Sequence, residues 1–155
     1  LISKPDDEIH KSLIQYIKIY KHINLSETIS EKLRQYLPLI VERCISLGEI
    51  FDGSSFLFEA DEVREKKALA LLDDKSRKTL SDFMYAIKST NFAWNSKLLK
   101  EFINSHCEEN NLKFRDIGVP LRIALTGSTS SPSIVDIMEI LGEHQTLDRL
   151  NINVD

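Results

Sequence analysis

Apolar residues recur along this chain at three- and four-residue steps almost from end to end, the period of amphipathic helices. Ile9, Leu13, Ile17 and Tyr20 form one stripe behind the acidic start Asp6-Asp7-Glu8, which suits the positive end of a helix. A second stripe, Ile29, Leu33, Leu37, Ile40 and Cys44, follows Asn24 or Ser26 as its N-cap. Pro38 sits inside that stripe and lacks an amide hydrogen, so it should kink the helix or restart it. Leu47, Ile50, Phe51, Phe56, Leu57 and Phe58 then crowd around Asp52-Gly53-Ser54-Ser55. That pattern predicts a short helix, a turn and aromatic anchors.

Residues 61–78 are highly charged, with Glu65-Lys66-Lys67 and Asp73-Asp74-Lys75. Two readings stand: a connection between subdomains, or the solvated face of a helix. A helix carrying Leu80, Phe83, Met84 and Ile87 follows, and residues 91–95 break it around Phe92 and Trp94. Ser96 is placed to cap the next helix, with Leu98, Leu99, Phe102 and Ile103, which Asn110-Asn111 end. Another runs through Ile117, Leu121 and Leu125 to a capping Gly127. Ser131 as N-cap and Pro132 at the first helical position then open a helix with Ile134, Ile137, Met138 and Leu141. Gly142 stops it, and Leu147 and Leu150 carry a short final one. Candidate strands at 56–58 and 112–114 are too short to build a sheet, and there is no internal repeat. The prediction is an all-α protein of two helical subdomains, 1–65 and 66–150, with 151–155 as a tail.

Composition narrows the function more than the fold. The 155 residues are 42% hydrophobic and 28% charged, ordinary values for a chain with a buried core. The net charge of -4 weakens a nucleic-acid role without removing it, because a local basic face is enough to meet phosphates. The two cysteines, Cys44 and Cys107, are far apart with no second cysteine at metal-ligand spacing, which makes no disulfide framework and no zinc signature, and free thiols suit a reducing compartment. Asn24-Leu25-Ser26 matches a glycosylation acceptor by chance. No targeting segment or membrane-spanning run is evident. The start at Leu1, without methionine, predicts that the chain belongs to something longer.

Catalytic signatures are missing. His10, His22, His106 and His144 form no metal-binding pair, and no serine sits in a nucleophile elbow. The carboxylate pairs Asp61-Glu62 and Glu108-Glu109 lie on polar stretches that solvent explains. The segment around Gly127-Ser128-Thr129-Ser130-Ser131-Pro132 has the hydroxyls of a phosphate cradle. It lacks the second glycine and the lysine of a Walker loop, and the glycines of a dinucleotide fold. It reads either as a plain helix corner or as one whose hydroxyls, free amides and nearby Arg122 meet a base or phosphate.

Longer patterns add a family. Pro120-Leu121-Arg122-Ile123-Ala124-Leu125-Thr126-Gly127, then Ser131-Pro132, Ile140-Leu141-Gly142 and Leu147-Asp148-Arg149-Leu150, resemble the C-terminal end of bacterial glutamyl-tRNA synthetases in order, spacing and residue type. Upstream, the segment from Leu39 to Leu47 resembles the family's stretch bearing an arginine at the place of Arg43. The resemblance covers residues 25–150, loosely outside these two segments. Two departures remove positive charge: Ser128 follows Thr126-Gly127 where a basic residue is common, and Glu143-His144 replace Lys-Glu after Gly142.

The resemblance implies an all-α anticodon-binding region of two stacked helical subdomains. It implies that Arg43 reads the third anticodon base, and that Arg122, Ser131, Pro132 and Ile134 line a pocket for the others. The partner would be the anticodon loop of tRNA(Glu), met by a cytoplasmic monomer. The parent would be a class I synthetase joining glutamate to tRNA with ATP and magnesium. Its HIGH-like and KMSKS-like signatures are absent here, so this chain should hold no catalytic residue, metal or cofactor. The competing reading is a helical protein-interaction module using an exposed aromatic patch from Phe51 to Phe58.

Overall fold

The structure, a computed structural model, describes residues 6–153. The chain divides into two compact units, the first ending at Glu59 and the second beginning at Ala60. Among the described residues the regular elements are all helical.

The first unit contains α1 (Asp6–Tyr20), α2 (Glu27–Ile40) and α3 (Leu47–Ser54), each packed on the other two. Its core follows the apolar stripes: Ile9, Leu13 and Ile17 of α1 meet Leu33, Tyr36, Leu37 and Ile40 of α2 and Ile50 of α3. Tyr20, the fourth member of the first stripe, is instead 69% exposed. Ser26 caps α2, accepting the Ile29 amide at 3.2 Å. The helix runs through Pro38 and ends two residues later, where Val41–Arg43 tighten into a 3-10 turn. A second such turn, Ser55–Leu57, follows α3 and buries Phe56 and Leu57. Gly53 lies within α3 and not in a turn.

The second unit comprises α4 (Asp61–Leu71), α5 (Asp74–Lys88), α6 (Ser96–Glu109), α7 (Phe114–Thr126), α8 (Ile134–Leu141) and α9 (Glu143–Asn153). Its centre is α7, which touches all five others. That explains a helix apolar on nearly every side, with Ile117, Leu121, Ile123, Ala124 and Leu125 all buried. The charged stretch 61–78 is not a connection: it forms α4 and the start of α5, joined by Leu72 and Asp73. For the same reason the units do not part between 65 and 66. That point lies inside α4, which buries Arg64 and Ala68 and packs on α7 and α9.

One cap here differs from expectation. Asn95, not Ser96, caps α6 by accepting the Leu98 amide at 2.9 Å, and the Ser96 amide bonds Glu139 of α8 at 2.7 Å. The loop before it is held by Phe92 stacked on Phe102 and by the Trp94 indole donating to the Met138 carbonyl at 2.8 Å. Residues 151–153 of the expected tail close α9, and 154–155 lie outside the described residues.

Candidate nucleic-acid interface

Arg43 ends the 3-10 turn after α2 and is exposed between the buried side chains of Val41 and Cys44. Its guanidinium has no ion-pair partner among the described residues. The backbone beneath it is held firmly. The Tyr36 hydroxyl donates to the Gly53 carbonyl at 3.1 Å, and its ring meets Phe56 edge-on at 5.1 Å. On the other side, Ser46 caps α3 by accepting the Glu49 amide at 3.2 Å, while the Glu49 carboxylate accepts the Ile45 amide at 2.6 Å. This reciprocal pair fixes the entry to α3 and leaves Ile45 83% exposed beside Arg43. Burial pushes both the Tyr36 hydroxyl and the Cys44 thiol up, and the Arg43 charge opposes each shift. A charged donor on a hydrogen-bonded turn, exposed beside Glu42 but in no ion pair among the described residues, is prepared to meet an external acceptor.

In the second unit, Arg122 is half-buried on α7. Its guanidinium lies back along the helix over Gly118. A methyl group at Gly118 would come within 3.1 Å of Arg122 Nη1 and 3.4 Å of the Phe114 ring. Gly118 thus leaves the space into which Arg122 settles, one turn before it on the same face. Sequence reasoning passed over this glycine. The available signal was a Gly four residues before an Arg in an otherwise strong helix, where it costs about 1 kcal/mol against Ala.

The corner after α7 is self-bonded. Gly127 takes φ 78° and its amide bonds the Ile123 carbonyl at 2.8 Å, ending the helix as expected. A methyl there would also come within 3.3 Å of the Lys67 side chain on α4. Thr126 Oγ1 donates to the Arg122 carbonyl at 2.7 Å and accepts the Ser128 amide at 3.2 Å. Ser128 Oγ accepts the Ser130 amide at 3.1 Å. Arg149, buried on α9, donates to the Leu125 carbonyl at 2.6 Å, placing positive charge at the negative end of α7.

Helix α8 begins later than the Ser-Pro pair suggested. Its N-cap is Ser133, whose carbonyl accepts the Ile137 amide at 3.2 Å, and its first residue is Ile134. Ser131 is therefore not the cap; it is half-buried, with its hydroxyl donating to the Pro132 carbonyl at 3.0 Å. Pro132 is buried outside the helix, and Ile134 is 1% exposed. The start shifts because the apolar run that must be buried is Ile134, Val135, Ile137 and Met138. In this arrangement Ile134 gives no surface to a base; it anchors the corner from beneath. Of the five predicted residues, Arg43 belongs to the first unit, while Arg122, Ser131, Pro132 and Ile134 share one helix–corner–helix segment of the second.

Other chemistry is sparse. No three His, Cys, Asp or Glu side chains gather as metal ligands among the described residues. His106 and Cys107 face different partners, Asn110 and the Lys113 carbonyl. Burial lowers the His106 pKa and raises that of Cys107. The aromatic patch of the competing reading is largely closed: Phe56 and Leu57 are buried, and Phe51 and Phe58 are half-buried. No helix is long and apolar enough to cross a membrane among the described residues.

Described residues whose regular elements are all helical, with an exposed arginine on a hydrogen-bonded turn, fit a known class. Residues 8–154 match the sequence model of the anticodon binding domain, and the chain belongs to that family. Its relatives include glutamate–tRNA ligases. Glutamate–tRNA ligase 1 of Bartonella tribocorum is 39% identical over 116 residues, 74% of this chain and 24% of that protein. The glutamate–tRNA ligase of Pelagibacter ubique is 30% identical over 145 residues, 94% of this chain and 31% of its own length. The chain thus spans about a quarter to a third of these relatives. A crystal structure of a glutamate tRNA ligase from Elizabethkingia meningosepticum superposes with a TM-score of 0.71, at 23% identity, over 97% of this chain and 29% of that one. At that identity the likeness speaks for the fold.

Proposed function

We propose that this chain is the anticodon-reading part of a glutamate–tRNA ligase. Arg43 of the first unit and Arg122 and Ser131 of the second contact the anticodon loop of tRNA(Glu), with Pro132 and Ile134 shaping the corner from within. The observation that carries the reading is the exposed guanidinium of Arg43, without an ion-pair partner among the described residues, on a turn held by Tyr36, Ser46 and Glu49. Anticodon bases are unpaired, so they can be splayed out and read on their Watson–Crick edges. An arginine offers donors to the acceptors of a cytosine, whereas guanine at the same place presents a donor and a larger ring. A good bidentate contact discriminates by about 1–3 kcal/mol.

The parent enzyme would attach glutamate to tRNA with ATP and magnesium, acting as a cytoplasmic monomer. On this reading ATP and magnesium are held by the catalytic part of the parent and not by this chain. Titrating the chain with anticodon stem-loops tests the reading. The glutamate stem-loop should bind at least tenfold more tightly than one with an unrelated anticodon. Equal affinity for the two would contradict it.

A further inference from the structure

The C-terminal end of α1 holds a cationic and aromatic surface that the anticodon contacts do not use. Residues 9–26 contain Lys11, Lys18, Lys21, His10 and His22 and no acidic residue, in a chain that has 24 acids and a net charge of -4. Lys18, Tyr20, Lys21 and His22 are all exposed, and so is Ile19. The turn that presents them is closed: His22 takes φ 57°, and the amides of Lys21 and Ile23 both bond the Ile17 carbonyl, at 3.1 and 3.3 Å.

A row of rings backs this surface. Tyr20 lies 5.3 Å from Tyr16, Tyr16 lies 6.3 Å from Phe51, and Phe51 lies 5.4 Å from Phe58. The Lys21 ammonium sits 4.9 Å above the Phe51 ring, which fixes the charge beside the exposed Tyr20. The row also joins the Arg43 segment of the same unit. The Tyr16 hydroxyl packs against Gly48, 3.6 Å from where its Cβ would stand, just past the Ser46 cap. The nearby Glu49 carboxylate is occupied by the Ile45 amide.

We infer that Lys18, Tyr20 and Lys21 form a second RNA-binding surface, one that grips the sugar–phosphate backbone next to the loop read by Arg43. Ammonium groups at the two lysines pair with phosphates, and the Tyr20 ring packs on a ribose or base face without regard to sequence. Charge selects this partner over a protein surface: the cations are concentrated on one helix end, and the ring beside them is rigidly supported. The inference rests on the anticodon-reading proposal, since it assumes the same RNA.

The test uses the 155-residue chain with glutamate and unrelated-anticodon stem-loops at several salt concentrations. The double variant Lys18→Gln, Lys21→Gln should bind both RNAs about tenfold more weakly and flatten the logarithmic salt dependence by about 1.5. Tyr20→Ala should weaken both roughly tenfold. Lys97→Gln, an exposed lysine on α6, should change neither. Unfolding curves matching the unaltered chain confirm that the folds are intact. If the unaltered chain discriminates between stem-loops while these variants bind as it does, this surface is wrong and the anticodon reading stands. For the double lysine variant, a loss with an unchanged salt slope also overturns it, because the lysines would then meet no phosphates. If the unaltered chain binds neither RNA, the anticodon reading itself has failed.

Discussion

Gly118 and Arg122 separate stability from recognition at the scale of single residues. Adding a methyl at Gly118 removes the entropic cost of glycine in a helix, a gain of about 0.5–1 kcal/mol. It also puts that methyl 3.1 Å from the Arg122 guanidinium, which must move aside. Gly118→Ala should therefore unfold no more easily than the unaltered chain in a urea titration. The same variant should bind the glutamate stem-loop several-fold more weakly. Unchanged affinity would take Arg122 out of the site.

At the scale of elements, His106 on α6 links packing to pH. It stands edge-on to Phe83 at 5.4 Å and parallel to Phe102 at 6.3 Å. Burial lowers its pKa, with Glu109 and Asp82 opposing. A base with a lowered folded-state pKa binds protons more readily when unfolded. Its stabilising effect is complete above the unfolded value, about 6.5, and is lost as the pH falls below that. Urea unfolding followed from pH 8 to pH 5 should show the second unit losing stability on the acid side. His106→Phe should flatten that part of the profile, and an identical profile would remove His106 as its cause.

The elements also show what was readable in advance. Apolar periodicity located the helices, because each must bury a continuous stripe. Gly127 and Gly142 were legible as stops because left-handed backbone favours glycine. Ser131 was misplaced as a cap because a Ser-Pro pair is a local signal, whereas the start of α8 is set by burial of Ile134 and Val135. The same burial removed Ile134 from the surface expected to meet a base. The charged face of α4 concealed that Arg64 is wholly buried, with Asp61 at 2.8 Å. Periodicity cannot report that the helices packed on α4 close over Arg64. Arg43 emerged from family resemblance alone, since a single arginine after a proline-bearing helix carries no signal of its own.

At the scale of the whole molecule, each of the two helical units presents one candidate arginine beside backbone that local hydrogen bonds fix. The first presents Arg43 on a 3-10 turn, and the second presents Arg122 behind a self-bonded corner. This arrangement would reconcile a net charge of -4 with the proposed binding to RNA: a few placed cations count for more than the total. The most direct test of the account is a thermodynamic cycle. Binding is measured for the unaltered chain and Arg43→Gln, each with a glutamate stem-loop and one whose third anticodon base is changed from cytosine to guanine. The account predicts that Arg43→Gln abolishes most of the penalty for the changed base, a coupling of about 1–3 kcal/mol. Additive effects, with the penalty intact in the variant, would contradict the claim that Arg43 reads that base.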